Sequence, residues 1–253
     1  MGGGGEIEAQ VSWPIQRRKL SEEAAFRLEA MIRDGTFPLG TTLPPERALM
    51  KIFGVGRASI REALFALNRM GLVELRNGER ARVTTPTPQT LITELAGAAR
   101  HFLSQPNGTG WFQEARALFE IGIAAIAARR ATDEDVRRLQ GALDANTAAR
   151  GDIGRFERTD VAFHYALATI TGNPIFTAVH DALVEWLTSQ RTLTLRVSGA
   201  EERAHESHCR IFEAVAARDP ERASGAMELH LREVTEFFRR AQESDHGPHG
   251  DSR

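Results

Sequence analysis

Residues 43–83, LPPERALMKIFGVGRASIREALFALNRMGLVELRNGERARV, constrain this chain more than any other stretch. Ala48, Leu49, Ile52 and Phe53 recur at helical spacing and predict a short helix over 45–53. Gly54-Val55-Gly56 then suits a tight turn, because glycine tolerates positive φ. A second helix is predicted over 58–70, with Ile60, Leu64, Leu67 and Met70 on its buried face. Two strands, 72–75 and 80–83, flank Asn77-Gly78, a strong hairpin signal. Helix, turn, helix and hairpin in that order make a winged helix-turn-helix, a fold whose second helix enters the major groove.

The basic residues fall where such a fold uses them. Arg57, Ser59 and Arg61 crowd the start of the second helix, and Arg76, Arg80 and Arg82 lie in the hairpin. Arginines there can reach base edges and phosphates. An ordinary helical hairpin with solvated arginines would use the same helices, but it does not call for a basic hairpin immediately after a basic helix start. Charge distribution agrees: residues 1–85 hold 13 Lys/Arg against 10 Asp/Glu, and the remainder holds 19 against 24.

Leu43-Pro44-Pro45-Glu46-Arg47, the run from Val55 to Leu64 (VGRASIREAL) and Gly71-Leu72-Val73 resemble the DNA-binding domain of GntR-type bacterial regulators. The resemblance covers residues 20–85. It implies DNA contacts from Arg47, Arg57, Arg61 and the wing-tip Gly78, with Ser59 between the helix arginines and Arg80 on the wing. Pro45 stands where the family often has serine, so a contact from that hydroxyl is not expected.

At 253 residues, 42% hydrophobic and 26% charged, the chain can hold two ordinary globular domains. The single Cys209 excludes an internal disulfide, and no stretch approaches the ~20 apolar residues of a membrane span. No apolar segment follows the Met1–Gly5 glycine run, so a cytoplasmic address is expected. Residues 1–14, including Trp13, and 244–253 are expected to be disordered. The winged helix-turn-helix is assigned to 15–85, opening with a helix over 21–34 capped by Ser21. Ahead of it, Arg17-Arg18-Lys19 can touch phosphates or remain solvated.

Thr84-Thr85-Pro86-Thr87-Pro88 reads as a linker, and 86–243 as an all-α second domain. Seven helices are predicted, over 89–104, 110–131, 133–149, 154–171, 174–196, 201–218 and 221–243. The fold class is therefore mainly α, a winged helix-turn-helix followed by a helical bundle. In the fourth bundle helix, Asp160 and His164 are four apart and lie at the edge of the apolar face of Phe156, Phe163, Leu167 and Ile170. A charged pair aimed there needs a partner. His208 and His230 flank the Asp219-Pro220 break almost symmetrically, so a helical hairpin brings them level to within about one residue's 1.5 Å rise. One carboxylate and three imidazoles suit a divalent ion such as Zn²⁺. Any one of these histidines alone would read as a surface or core residue, and His205 can compete with His208 as a ligand. Trp111 and Trp186 are expected in the core or a dimer seam, and Cys209 in packing.

Asp160-x-x-x-His164, His208 ahead of Ile211-Phe212-Glu213-Ala214-Val215, and His230-Leu231 resemble the metal-ligand pattern of the FCD domain. That domain follows the winged helix in the FadR subfamily of GntR regulators. Asn77 to Val83, Ala131-Thr132-Asp133-Glu134, Gly172-Asn173-Pro174-Ile175-Phe176 and Glu185-Trp186-Leu187 are similar to sialic-acid-responsive members of that subfamily. The resemblance implies a homodimeric repressor on double-stranded operator DNA, released by a carboxylated effector beside the ion. A sialic acid is the favoured effector, and a hexuronate, hydroxy acid or dicarboxylate the alternative. Arg116 and Arg191 are candidates to meet the effector carboxylate. Arg116 can equally pair with Glu120, and Asn173, also a candidate, can simply cap the helix begun by Pro174. No carboxylate presents itself as a general base, so a regulator is expected and not an enzyme.

Overall fold

The structure, a computed structural model, describes residues 19–245. The expectations for 1–14, Trp13, Arg17-Arg18 and the tail beyond Asp245 lie outside the described residues, while Ser244 and Asp245, assigned to that tail, are the last residues of a helix. Those residues fall into two compact units that meet in sequence at Thr90 and Leu91.

The first unit contains α1 (Leu20–Arg33), α2 (Glu46–Phe53), α3 (Arg57–Arg69), β1 (Val73–Glu74) and β2 (Arg82–Val83). Helix α1 begins one residue earlier than expected, with Lys19 at its cap, so Ser21 is a buried residue of the first turn and not the cap. Gly54, at φ 66°, ends α2 in the left-handed conformation that favours glycine, while Gly56 is extended and precedes α3. Leu28, Leu43, Leu49, Ile60 and Leu67 form a fully buried core between α1, α2, α3 and the hairpin.

Two residues expected in that core are outside it. Ile52 is exposed because α2 is covered along one stripe only, which Leu49, Met50 and Phe53 fill. Met70 is exposed because it is already the C-cap of α3. The strands are shorter than expected and pair antiparallel, Val73 opposite Val83 and Glu74 opposite Arg82. Gly78 turns the hairpin at φ 78°. An extended segment absent from the sequence reading lies along the same edge: Thr42 bridges Arg82, and Leu43 N–H donates to the Ala81 carbonyl at 2.8 Å.

Helix α4 (Pro88–Leu103) starts just before the boundary at Thr90 and Leu91, and the second unit continues with α5 (Gly108–Arg130), α6 (Asp133–Thr147), α7 (Ile153–Ile170), α8 (Pro174–Trp186), α9 (Thr188–Leu195), α10 (Ala200–Ala216) and α11 (Pro220–Asp245). Phe163 and Leu167 of α7, Leu139 of α6, Ile211 of α10 and Met227 of α11 centre the core, with the alanine face of α5 against them. Thr132 and Asp135 form a reciprocal capping box at the start of α6, as the sequence TDED suggests. The α10–α11 hairpin turns through Arg218, a non-glycine residue at φ 59°, just before Asp219-Pro220. Trp186 is half-buried with its ring edge-on to Phe112, whereas Trp111 is exposed and outside the core.

The helix expected over 174–196 is two helices, broken at Leu187. No proline or glycine marks the break. The carbonyl of Val184, freed by it, accepts from the Thr188 hydroxyl at 2.7 Å and from the Arg191 guanidinium at 3.5 Å. The break redirects α9, so that Gln190, Arg191 and Thr194 of α9 all become buried. Within α2, Leu49→Ala should destabilise the first unit by about 2–5 kcal/mol and Ile52→Ala by under about 0.5 kcal/mol, read from chemical denaturation.

Candidate metal centre and DNA-reading face

Asp160 and His164 lie one turn apart on α7, and α10 and α11 bring His208 and His230 to the same place. All four side chains are buried, and one potential ligand atom from each lies within 4.8 Å of every other. The ring centroids of His164, His208 and His230 are 4.9–5.2 Å apart. The Phe163 ring stacks on His208 at 4.6 Å and closes the apolar side.

The outer partners decide which nitrogen each ring offers. His208 Nδ1–H donates to the Asn146 side-chain oxygen at 3.0 Å, which leaves Nε2 as the lone pair. That Nε2 is 3.3 Å from Asp160 Oδ1 but has no partner in hydrogen-bond geometry. His164 Nδ1 lies 2.5 Å from Glu120 Oε2, also outside hydrogen-bond geometry, and its Nε2 has no partner. Both ring nitrogens of His230 are buried and unpaired. Burial holds His208 below its ordinary pKa, and burial with the neighbouring His208 and His164 holds His230 well below. Burial works against the Asp160 carboxylate, yet His208, His164 and Arg191 around it keep its pKa far below the usual range. Imidazole nitrogens without hydrogen-bond partners beside an ionised carboxylate are a donor set that suits a divalent cation. A tetrahedral zinc ion with bonds of ~2.0–2.1 Å wants ligand atoms roughly 3.4 Å apart, close to the Asp160–His208 separation.

Arg116 and Arg191 flank this cluster and are both buried. Arg116 pairs with Glu120 at 2.5 Å, the i,i+4 partner anticipated from the sequence. Burial opposes ionisation of Glu120, but Arg116 and His164 pull its pKa well down. Arg191 Nε lies 3.5 Å from Asp160 Oδ2 without a hydrogen-bond partner. A narrow cavity of about 30 Å³ is lined by Arg116, Asp160, Arg191 and His230. Asn173 is not at this cavity: its side chain accepts from Ile175 N–H at 3.0 Å and caps α8. His205 is half-buried and outside the four-ligand group, its Nδ1 3.5 Å from the Asn146 oxygen and its Nε2 3.7 Å from Cys209 Sγ.

Three contributors were not singled out from sequence. Asn146, fully buried, joins His208 to the Thr159 hydroxyl across 62 and 13 residues, and nothing local marks it. The sequence marks Glu120 only as a partner for Arg116, yet its other carboxylate oxygen faces His164. Gln190 lines the cavity because of the break at Leu187, which the sequence did not signal.

On the first unit, Arg57 and Arg61 project from the start of α3 and are exposed. Arg57 Nε contacts Glu46 Oε2 at 2.8 Å, and Arg61 Nε lies 3.9 Å from the other oxygen of the same carboxylate. Ser59 is half-buried between them, and Arg47 is exposed on α2. A groove between α3 and the hairpin is lined by Arg61, Asn68, Arg76, Asn77 and Gly78. Two of the hairpin arginines have internal partners, Arg76 with Glu74 at 3.0 Å and Arg82 with the Gly40 carbonyl at 2.5 Å. Arg80 is exposed and has no ion pair among the described residues.

A winged helix-turn-helix joined to a helical unit of this kind is the build of a bacterial transcription regulator. Residues 20–83 match the model of the gntR family of bacterial regulatory proteins and residues 112–233 that of the FCD domain, and the chain belongs to this family. It is 46% identical over 223 residues to the HTH-type transcriptional repressor NanR of Cronobacter sakazakii, covering 87% of this chain and 86% of that one. It is likewise 46% identical over 231 residues to NanR of Klebsiella aerogenes, covering 89% and 88%. Among solved structures, Streptococcus agalactiae GntR superposes with a TM-score of 0.60 at 26% identity, over 85% of this chain and 99% of that one. The protein is thus a DNA-binding transcription regulator of a ligand-responsive, non-enzymatic class. None of its described helices is long and apolar enough to cross a membrane.

Asn146→Ala should weaken zinc binding about 10–100-fold in a competition titration, by releasing the ring of His208. His180, buried on α8, has its pKa pushed down to about 4 by burial. Between that value and the ordinary 6.5 the unfolded chain binds the extra proton, so stability falls as pH drops through this window, by roughly 3 kcal/mol in all. Denaturation at pH 7 and pH 4.5 should show the loss, and His180→Leu should reduce it.

Proposed function

We propose that the second unit holds one divalent cation, zinc by its donor set, through Asp160, His164, His208 and His230, and that a carboxylated effector binds beside it. The observation that carries this is the convergence of unpaired, buried imidazole nitrogens on one carboxylate. When bound, the ion supplies an open coordination position that attracts an anionic oxygen. The surrounding charge supports an anionic ligand. Glu120 and Asp160 balance Arg116 and Arg191, so a divalent ion leaves a buried positive excess. Arg191, whose Nε is unpaired, and Arg116, which borders the same cavity, are the residues we assign to the effector carboxylate. A sialic acid is the acid the sequence resemblance implies, and it brings the single carboxylate that this arrangement favours.

In this reading the protein is a cytoplasmic homodimeric repressor. Two recognition helices about one DNA turn apart read a two-fold or repeated half-site. Arg57 and Arg61 read bases, while Arg47, Arg80 and the backbone at Gly78 hold phosphates and the wing. The effector acts by binding the DNA-bound and DNA-free arrangements of the dimer unequally.

Thermal melts with N-acetylneuraminate, glucuronate and succinate, before and after chelation, test the effector side. At 100 times its Kd a ligand adds about 2.7 kcal/mol. A rise with N-acetylneuraminate alone, abolished by chelation, is expected; a rise that survives chelation contradicts the metal-linked pocket. On the DNA side, Arg57→Ala should lower affinity for operator DNA by about 1–3 kcal/mol while non-specific affinity changes less. Equal losses on both would make Arg57 a phosphate contact.

A further inference from the structure

The metal-facing part of the cavity does not use all of its polar lining. One turn further along the α10–α11 hairpin, Arg203 and Glu233 line the same cavity, with Arg203 Nε 3.6 Å from Glu233 Oε1. The helices run antiparallel, so five residues back from His208 and three on from His230 lead the same way, about 4.5–7.5 Å from the imidazoles along the axes. Glu233 also accepts from the Ser207 hydroxyl at 3.0 Å, and Arg203 is drawn to a second carboxylate, Glu206, at 2.9 Å. Arg203 is therefore held between two carboxylates, Glu206 and Glu233. On α9, Gln190 is more than nine-tenths buried, lines the cavity, and its side-chain NH₂ has no hydrogen-bond partner. A buried amide donor without a partner is costly unless a ligand meets it. Leu195 and Ala204, also in the lining, provide apolar wall.

We propose that Gln190, Arg203 and Glu233 form a second pole of the cavity, which reads the hydroxyl- or amide-bearing end of a polyhydroxylated monocarboxylic acid. The proposal rests on the reading of this cavity as an effector pocket. Glu233 accepts from ligand hydroxyls or an amide N–H, and Gln190 donates to a ligand oxygen. The same carboxylate repels a second acid group, so specificity comes partly from exclusion. The pocket thereby separates sugar acids with one carboxylate from dicarboxylates of the same length.

Calorimetric titration of the zinc-loaded full chain tests this with gluconate, glucuronate, N-acetylneuraminate and the dicarboxylate glucarate. The wild type should bind its tightest monocarboxylate at least tenfold better than glucarate. Glu233→Gln keeps the Ser207 hydrogen bond possible, and should weaken the tightest monocarboxylate at least fivefold and narrow the preference over glucarate. Gln190→Leu should weaken the same ligand at least fivefold. Zinc stoichiometry and the melting curve should stay unchanged in both variants, which separates a contact with ligand from a structural role. Wild-type preference for glucarate, or unchanged ligand affinity in both variants, overturns the second pole while leaving the effector pocket in place. Failure of every acid to bind the wild type overturns the pocket reading itself.

Discussion

Burial of Asp160 against three imidazoles governs the second unit. An unpaired buried polar atom costs about 1–3 kcal/mol, and five ring nitrogens of His164, His208 and His230 lack hydrogen-bond partners there. Hydrophobic packing does not remove that cost, because Phe163, Leu167 and Met227 only exclude the water that would otherwise satisfy the rings. A cation bound by one nitrogen of each ring and by Asp160 would relieve three of these five at once. The neighbouring elements then take on related roles: Asn146 fixes one tautomer, Glu120 faces another ring, and the guanidiniums of Arg116 and Arg191 border the same cavity.

The reading unit works on the opposite physical footing, since its important side chains are exposed. Exposed ion pairs such as Arg57–Glu46 contribute little to stability, so their exchange for phosphates or bases costs little as well. Before DNA arrives, Glu46 draws both α3 arginines to one side of the helix start. Stability comes instead from the small core around Leu28, Leu49, Ile60 and Leu67, which fixes the helix that carries them.

Much of this was legible in sequence because helices impose simple geometry. Asp160 and His164 share a helical side by their spacing, and the Asp219-Pro220 break sets His208 and His230 level once the two helices fold back. The same logic failed where tertiary context decides. Ile52 has the right spacing in α2 but no neighbour to cover it, and Met70 falls just past the last turn of α3. The break at Leu187 has no proline or glycine, only a threonine hydroxyl and an arginine able to satisfy the freed carbonyl. Asn146 reaches His208 from 62 residues away, a contact no local pattern encodes. The sequence could rank Arg116 and Asn173 only as alternatives; the structure puts Arg116 at the cavity, still paired with Glu120, and Asn173 at a helix cap.

The most direct measurement is X-ray absorption spectroscopy at the zinc edge of the zinc-loaded protein. The account predicts one zinc per chain with three imidazole shells and oxygen ligands at about 2.0–2.1 Å, and loss of an imidazole shell in His208→Ala. A first shell without imidazole scattering, or a spectrum unchanged by His208→Ala, would contradict it.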